Sequence, residues 1–81
     1  MNSQARIRLL LVDDHPVVRD GLSRIQELDP QIEIVGEAGS VLSAVEAARR
    51  LEPEMILMDV RLPDGDGIQA CRRIKEFLPE T

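Results

Sequence analysis

Aromatic residues are nearly absent from this 81-residue chain, which has one Phe and no Trp or Tyr. Its core must therefore be aliphatic. Cysteine occurs once, at Cys71, which excludes an internal disulfide and points to a reducing compartment. Apolar runs are short. None approaches the ~18 residues that a membrane helix needs, and the apolar part of "MNSQARIRLLLVDD" is too short for a signal peptide, so a cytoplasmic location away from the membrane is expected. Positive charge is also in deficit, with 10 bases against 15 acids and a net charge of -5. That balance disfavours non-specific attraction to nucleic acid or anionic lipid. The two basic doublets, Arg49/Arg50 and Arg72/Arg73, fall in helical patterns and read as solvated faces, so no nucleic-acid contact is expected of these residues.

The chain holds three alternations of strand and helix. "IRLLLV", residues 7 to 12, reads as a strand, and Pro16 suits the first turn of a helix because its missing N–H would have no partner there anyway. Val18, Leu22, Ile25 and Leu28 share one face of a single first helix, which "DP" at 29 to 30 stops. "QIEIVG", residues 31 to 36, reads as a second strand, and Ser40 as the N-cap of a helix with the stripe Val41, Ala44, Val45, Ala48 and Leu51, ended by Pro53. "MILMDV", residues 55 to 60, is an apolar run expected to form a strand buried on both faces. The loop "RLPDGDG" and a third helix with Ile68, Cys71, Ile74 and Leu78 inward, closed by Pro79, complete the chain. Such alternation predicts an α/β fold with a parallel sheet and right-handed crossovers. Eighty-one residues allow one domain or part of one, burying about 60 to 65% of the unfolded surface.

The chemistry concentrates in "LLLVDDHP". Asp13 and Asp14 end the first strand and Asp59 lies near the end of the third; with strand order 2-1-3 these carboxylates converge in the crevice beyond the strand ends. Two carboxylates about 4 Å apart repel by ~1 kcal/mol in water and ~4 kcal/mol at an effective dielectric of 20, so a divalent cation is the natural compensation. An oxygen-rich cluster with one His and one Cys does not suit zinc; it suits a hard cation that keeps several waters, Mg²⁺ or Mn²⁺. A carboxylate held beside such a metal can attack phosphorus and form an aspartyl phosphate. The same acids also fit a plainer reading in which Asp14 or Asp66 merely caps a helix. A calcium loop starting at Asp59 fails, because Arg61 and Pro63 stand where oxygen ligands are required. His15 reads as a capping or surface residue and Cys71 as core, while Gly65 and Gly67 read as turn geometry, since no phosphate-cradling glycine motif is present.

"LLLVDDHPVVRDGL", "VGEAGS" and "MILMDVRLPDGDGI", with their spacing, resemble the receiver domain of two-component response regulators, most closely the NarL/FixJ (LuxR-type) class. The resemblance implies a partial flavodoxin-like (CheY-like) doubly wound sheet in which residues 1 to 81 form the first three of five strand–helix units. It implies that Asp59 is the phosphoacceptor, that Asp13, Asp14, Asp59 and the backbone carbonyl of Arg61 hold Mg²⁺ (or Mn²⁺), and that Pro63 and Gly67 shape the site. A sensor histidine kinase is the implied partner, and the module would accept phosphate without being an enzyme. The fourth-strand hydroxyl residue, the fifth-strand lysine and the reporting aromatic of the family are expected to lie outside these residues. So is the helix-turn-helix domain, which assigns DNA binding to a longer parent protein. An exposed third strand predicts homo-oligomers, through edge pairing or an exchanged element. Two other readings are a Mg²⁺-dependent phosphohydrolase of the aspartyl-phosphate type and a non-phosphorylated oligomerisation module. The phosphohydrolase usually wants a second Asp where Arg61 stands.

Overall fold

The structure is a computed structural model describing residues 6–81. Three parallel strands, β1 (Ile7–Val12), β2 (Ile32–Ala38) and β3 (Met55–Met58), form a sheet of order β2-β1-β3, as the crevice argument requires. β1 is the central strand. Its residues Leu9 to Val12 are almost wholly buried, so both faces of the sheet are covered there. Its register with β3 runs from Leu9 opposite Met55 to Val12 opposite Met58, and a bulge between Leu9 and Leu10 brings Val12 opposite Ala38 of β2.

The sequential strands step outward in opposite directions from β1. Right-handed crossovers then place the first pair of helices on one face and the next helix on the other. On the face of Leu10 and Val12, α3 (Val41–Leu51) and α4 (Gly67–Lys75) pack together and enclose the main core, which includes Ala44, Ala48, Ala70 and Ile74. Burying a Leu or Ile side chain in such a core contributes about 1.5–3 kcal/mol. The stripe expected on α3 is observed, and Ser40 caps it: its hydroxyl accepts from the Ser43 amide at 3.0 Å, while the Ser43 hydroxyl accepts from the Ser40 amide at 3.1 Å. Glu52 closes α3 in a left-handed conformation, and Arg49 lies over the Phe77 ring, 4.2 Å from its centre. No helix among the described residues is long and apolar enough to cross a membrane.

Several expectations need correction. The first helix is two short ones, α1 (Pro16–Leu22) and α2 (Ile25–Leu28), with no buried residue in either, and Leu28 is 85% exposed. Gly21 and Ser23 weaken helix continuation, and the Ser23 hydroxyl donates back to the Asp20 carbonyl at 2.7 Å, which favours a turn. β3 stops at Met58 and is not buried on both faces: Met55 and Leu57 are half-exposed on the Leu9/Leu11 side, beyond the cover of α1 and α2. Cys71 is exposed and Ile68 is 58% exposed, because α4 turns Gly67, Ala70 and Ile74 inward instead. Finally, α4 stops at Lys75, short of Leu78, and "RLPDGDG" is no plain loop: β4 (Arg61–Leu62) pairs antiparallel with β5 (Gly65–Asp66) around Pro63 and Asp64.

Candidate functional site

The site is built where β1 and β3 end side by side. The ladder continues one residue past each strand: the Asp13 amide donates to the Ala38 carbonyl at 3.0 Å, and the Asp59 amide to the Val12 carbonyl at 2.8 Å. Both aspartates are thereby anchored at the same rim of the sheet. Each then makes the same local turn, its Oδ1 accepting from the amide two residues on: His15 N at 2.8 Å for Asp13, and Arg61 N at 3.2 Å for Asp59. Such turns are a property of Asp and Asn side chains and fix the carboxylate plane. They leave Asp59 Oδ2 without the backbone bond that holds Oδ1, on the side facing the cluster.

One ligand atom from each of Asp13, Asp14, His15 and Asp59 lies within 4.8 Å of all the others. His15 Nδ1 stands 3.0 Å from Asp13 Oδ1, 3.0 Å from Asp14 Oδ1 and 3.8 Å from Asp59 Oδ2. A single imidazole N–H at Nδ1 can serve only one of the two near oxygens. Asp14 Oδ1 is accordingly shielded from solvent and accepts no hydrogen bond. The hydrogen bond from Asp13, with the charges of Asp14 and Asp59 adding to it, raises the His15 pKa above its ordinary 6.5. The backbone N–H of His15 is the main cause holding the Asp13 carboxyl below its ordinary value, against the opposing effect of burial.

The expected carboxylates are therefore brought together. His15, read as a capping or surface residue, is exposed and occupies the N-cap position of α1 without a side-chain cap bond, and its ring also stands beside the acids. Asp66 does cap a helix, accepting from Gln69 N at 2.7 Å, and takes no part in the cluster. Arg61 follows Asp59 in β4, where its partner is Asp66. Gly67 serves close approach more than turn geometry: its amide donates to the Val60 carbonyl at 2.7 Å, and a side chain there would run into the Asp59 carbonyl oxygen.

Sequence reasoning missed Asp64. Its two carboxylate oxygens accept from Val41 N at 2.6 Å and Leu42 N at 3.0 Å, tying the hairpin after Asp59 to the N-terminus of α3. These bonds, from Leu42 and Val41, lower the Asp64 pKa from its ordinary value. The only local hint is an Asp in a "PDG" turn, which gives no sign of a helix 23 residues upstream.

An orphaned carboxylate oxygen lies inside a group of three acids at the rim of a doubly wound sheet, an arrangement whose chemistry suits a hard cation. The response regulator receiver domain family matches residues 9–81, and the chain belongs to that family. It is 45% identical, over 74 residues, to the DNA-binding transcriptional activator DevR/DosR of Mycobacterium tuberculosis, covering 91% of this chain and 34% of that protein. It is 49% identical, over 73 residues, to protein-glutamate methylesterase/protein-glutamine glutaminase 1 of Syntrophus aciditrophicus, covering 90% of this chain and 21% of that protein. Among solved structures, a LuxR-family two-component response regulator from Aurantimonas sp. superposes with a TM-score of 0.84 at 39% identity, covering 89% of this chain and 51% of that one. The chain thus spans about a third or less of the curated relatives it matches here. In sequence and fold it is of the response regulator receiver type, with relatives of the NarL/LuxR class, and it spans 60% of the solved receiver domain of the putative response regulator NarL from Mycobacterium tuberculosis.

Proposed function

We propose that Asp59 is the phosphoacceptor of this receiver and that Asp13, Asp14, Asp59 and the backbone carbonyl of Arg61 hold Mg²⁺ (or Mn²⁺). The observation that carries the reading is the buried, unpartnered Asp14 Oδ1 facing the other carboxylates, an arrangement a cation compensates. A divalent ion bound there supplies charge compensation between the acidic cluster and incoming phosphoryl oxygens. Asp59 Oδ2 is the nucleophile, since Oδ1 is occupied by the Arg61 amide. It attacks phosphorus, an O–P bond forms, and the bond from phosphorus to the donor's histidine nitrogen breaks with its electrons leaving on that nitrogen. The donor is a sensor histidine kinase in the cytoplasm, and the chain serves as acceptor without turning over a substrate of its own. By analogy with the DNA-binding activator it matches, the longer protein would act on transcription.

The test is to incubate the chain with a small phosphodonor and Mg²⁺ and follow intact mass. Addition of one phosphoryl group, lost in Asp59→Asn, is the expected result. An adduct that persists in Asp59→Asn, or none in the wild type while Mg²⁺ binds, refutes the assignment. Mg²⁺ affinity is expected to fall in Asp14→Ala; unchanged affinity removes that ligand.

We also propose that copies of the chain associate through β3, which has one strand neighbour among the described residues and carries half-exposed Met55 and Leu57.

A further inference from the structure

On the reading of the acidic crevice as a Mg²⁺ site, we propose that Asp64 is its positioning residue: by tying the hairpin after Asp59 to the start of α3, it fixes the backbone of Arg61, whose carbonyl is a ligand in that reading. Asp64 touches neither the ion nor the phosphoryl group. It acts through the chain.

The segment that follows Asp59 has little to hold it by itself. β4 and β5 pair through Arg61 with Asp66 and Leu62 with Gly65 only, and a two-stranded ribbon without a further partner is marginal in water. Its base is closed by the Gly67 amide on the Val60 carbonyl at 2.7 Å, and Leu62 anchors it in the core. Its tip is held by Asp64. Oδ1 accepts from Val41 N at 2.6 Å and Oδ2 from Leu42 N at 3.0 Å. The backbone at Gly65 lies against the same helix, since a Cβ there would stand 3.1 Å from Val41 Cγ2.

A helix cap alone does not account for this contact. Ser40 caps α3 from the adjacent position, serving the Ser43 amide, whereas Asp64 serves the first two amides from 23 residues downstream, so the bonds that complete the helix end also fix the hairpin. The start of α3 is in turn braced against the acids: a Cβ on Gly39 would stand 3.8 Å from both the Asp13 carbonyl oxygen and Asp14 Cα. Asp64 therefore joins the loop carrying Arg61 to the loop that abuts Asp13 and Asp14. A carbonyl ligand cannot adjust by side-chain rotation, so an ion that uses it depends on what anchors the chain. Losing a partner outside the coordination sphere typically costs about 10- to 100-fold in metal affinity. Two carboxylate oxygens suit two adjacent amides; Asn offers one acceptor and turns an NH₂ toward the other N–H, and Ala offers neither.

The experiment titrates the 81-residue chain with Mg²⁺ by calorimetry in wild type, Asp64→Asn, Asp64→Ala and Ser40→Ala, with circular dichroism confirming that each variant is folded. Affinity is expected to fall about 10-fold in Asp64→Ala and about 3-fold in Asp64→Asn. Both variants remove the same charge, so the difference between them reports the hydrogen bonds. Ser40→Ala weakens the same helix end but leaves the Asp64 bonds, and is expected to bind Mg²⁺ as wild type does. Nuclear magnetic resonance supplies a readout independent of affinity: saturating Mg²⁺ is expected to shift the Val41 and Leu42 amides of wild type, although neither is a ligand, and to leave both unmoved in Asp64→Ala. Equal affinities in Asp64→Asn and Asp64→Ala, or a loss in Ser40→Ala as large as that in Asp64→Ala, overturn the positioning role and leave the Mg²⁺ site standing. Should Asp64→Ala not fold, Asp64→Asn carries the test: one of the two amides is expected to keep its shift, and a full response of both overturns the role. Failure of the wild type to bind Mg²⁺ overturns the cation site itself.

Discussion

Gly67→Ala tests the link between packing and phosphoacceptor geometry. Gly67 opens α4 directly beneath the Asp59–Val60 peptide, and its amide donates to the Val60 carbonyl at 2.7 Å. A methyl group at this position would overlap the Asp59 carbonyl oxygen, approach the Asp59 carbonyl carbon to 3.1 Å and meet Met58 Cγ at 3.0 Å. The Met58 side chain can turn aside, but the Asp59 backbone is part of the sheet. Relieving the overlap needs a shift of about 1 Å between α4 and the end of β3. Overpacking of this kind costs about 1–3 kcal/mol, and Ala recovers only a fraction of its ~1 kcal/mol helix advantage at a first-turn position, so a net loss of about 1–2 kcal/mol is expected in urea denaturation. Displacing a reacting group by about 1 Å can slow chemistry by ~100-fold, so the phosphoryl adduct at Asp59 is expected to form about 10- to 100-fold more slowly at a fixed phosphodonor concentration. Gly21→Ala is the matched control, because nothing lies within 4 Å of its added methyl; its adduct rate is expected to equal that of wild type. Wild-type stability together with a wild-type adduct rate in Gly67→Ala would refute the steric reasoning.

Three further outcomes are expected. Ser40→Ala removes the capping-box acceptor for the Ser43 amide and is expected to lower stability by about 1 kcal/mol in urea, an effect bounded because Asp64 still holds Val41 and Leu42. The Asp64 pKa is depressed in the folded chain below its ordinary 3.8, so its contribution to stability is present above that value and disappears as pH falls through the folded one. The stability gap between wild type and Asp64→Asn, from urea melts, is thus expected to stay constant above about pH 5 and to close in stronger acid; a gap that widens in acid contradicts the assigned cap. Leu57→Lys places a charge on the half-exposed face of β3 and is expected to lower the mass measured by light scattering at micromolar concentration, whereas a wild type that is already a monodisperse, cooperatively melting monomer removes the proposed association.

The parts of the fold legible in the sequence were those whose signal is local. Four apolar residues followed by two acids mark a central strand and its end, and Leu9 to Val12 are almost wholly buried. Ser40 followed by an apolar stripe marks α3, where cap and periodicity agree. Elsewhere the signals conflict. The 3.6-residue spacing of Val18, Leu22, Ile25 and Leu28 favours one helix, yet Gly21 and Ser23 favour a break, and with little core on that face the backbone preference prevails. In α4 Ile74 is buried as its spacing predicts, but Ala70 and Gly67 are buried beside it because they are small enough for close contact, while Ile68 and Cys71 are left outside.

The site followed a similar division. That the acids converge was legible, because strand order 2-1-3 makes β1 and β3 neighbours. Three-dimensional details were not: the Asp64 cap spans 23 residues, and the pose of His15 beside the acids follows from the turn in which Asp13 Oδ1 accepts from its amide. What turns proximity in the topology into a chemical site is register. Val12 stands opposite Met58, so the next residues, Asp13 and Asp59, emerge at the same level of the same rim. Sliding β3 by one residue would exchange its two faces, since side chains alternate along a strand. Ile56 and Met58 would then leave the core that holds them and Asp59 would turn from the cluster. The packing of Ile56 and Met58 against the buried face of the sheet is therefore what fixes Asp59 among the acids, although neither side chain belongs to the cluster.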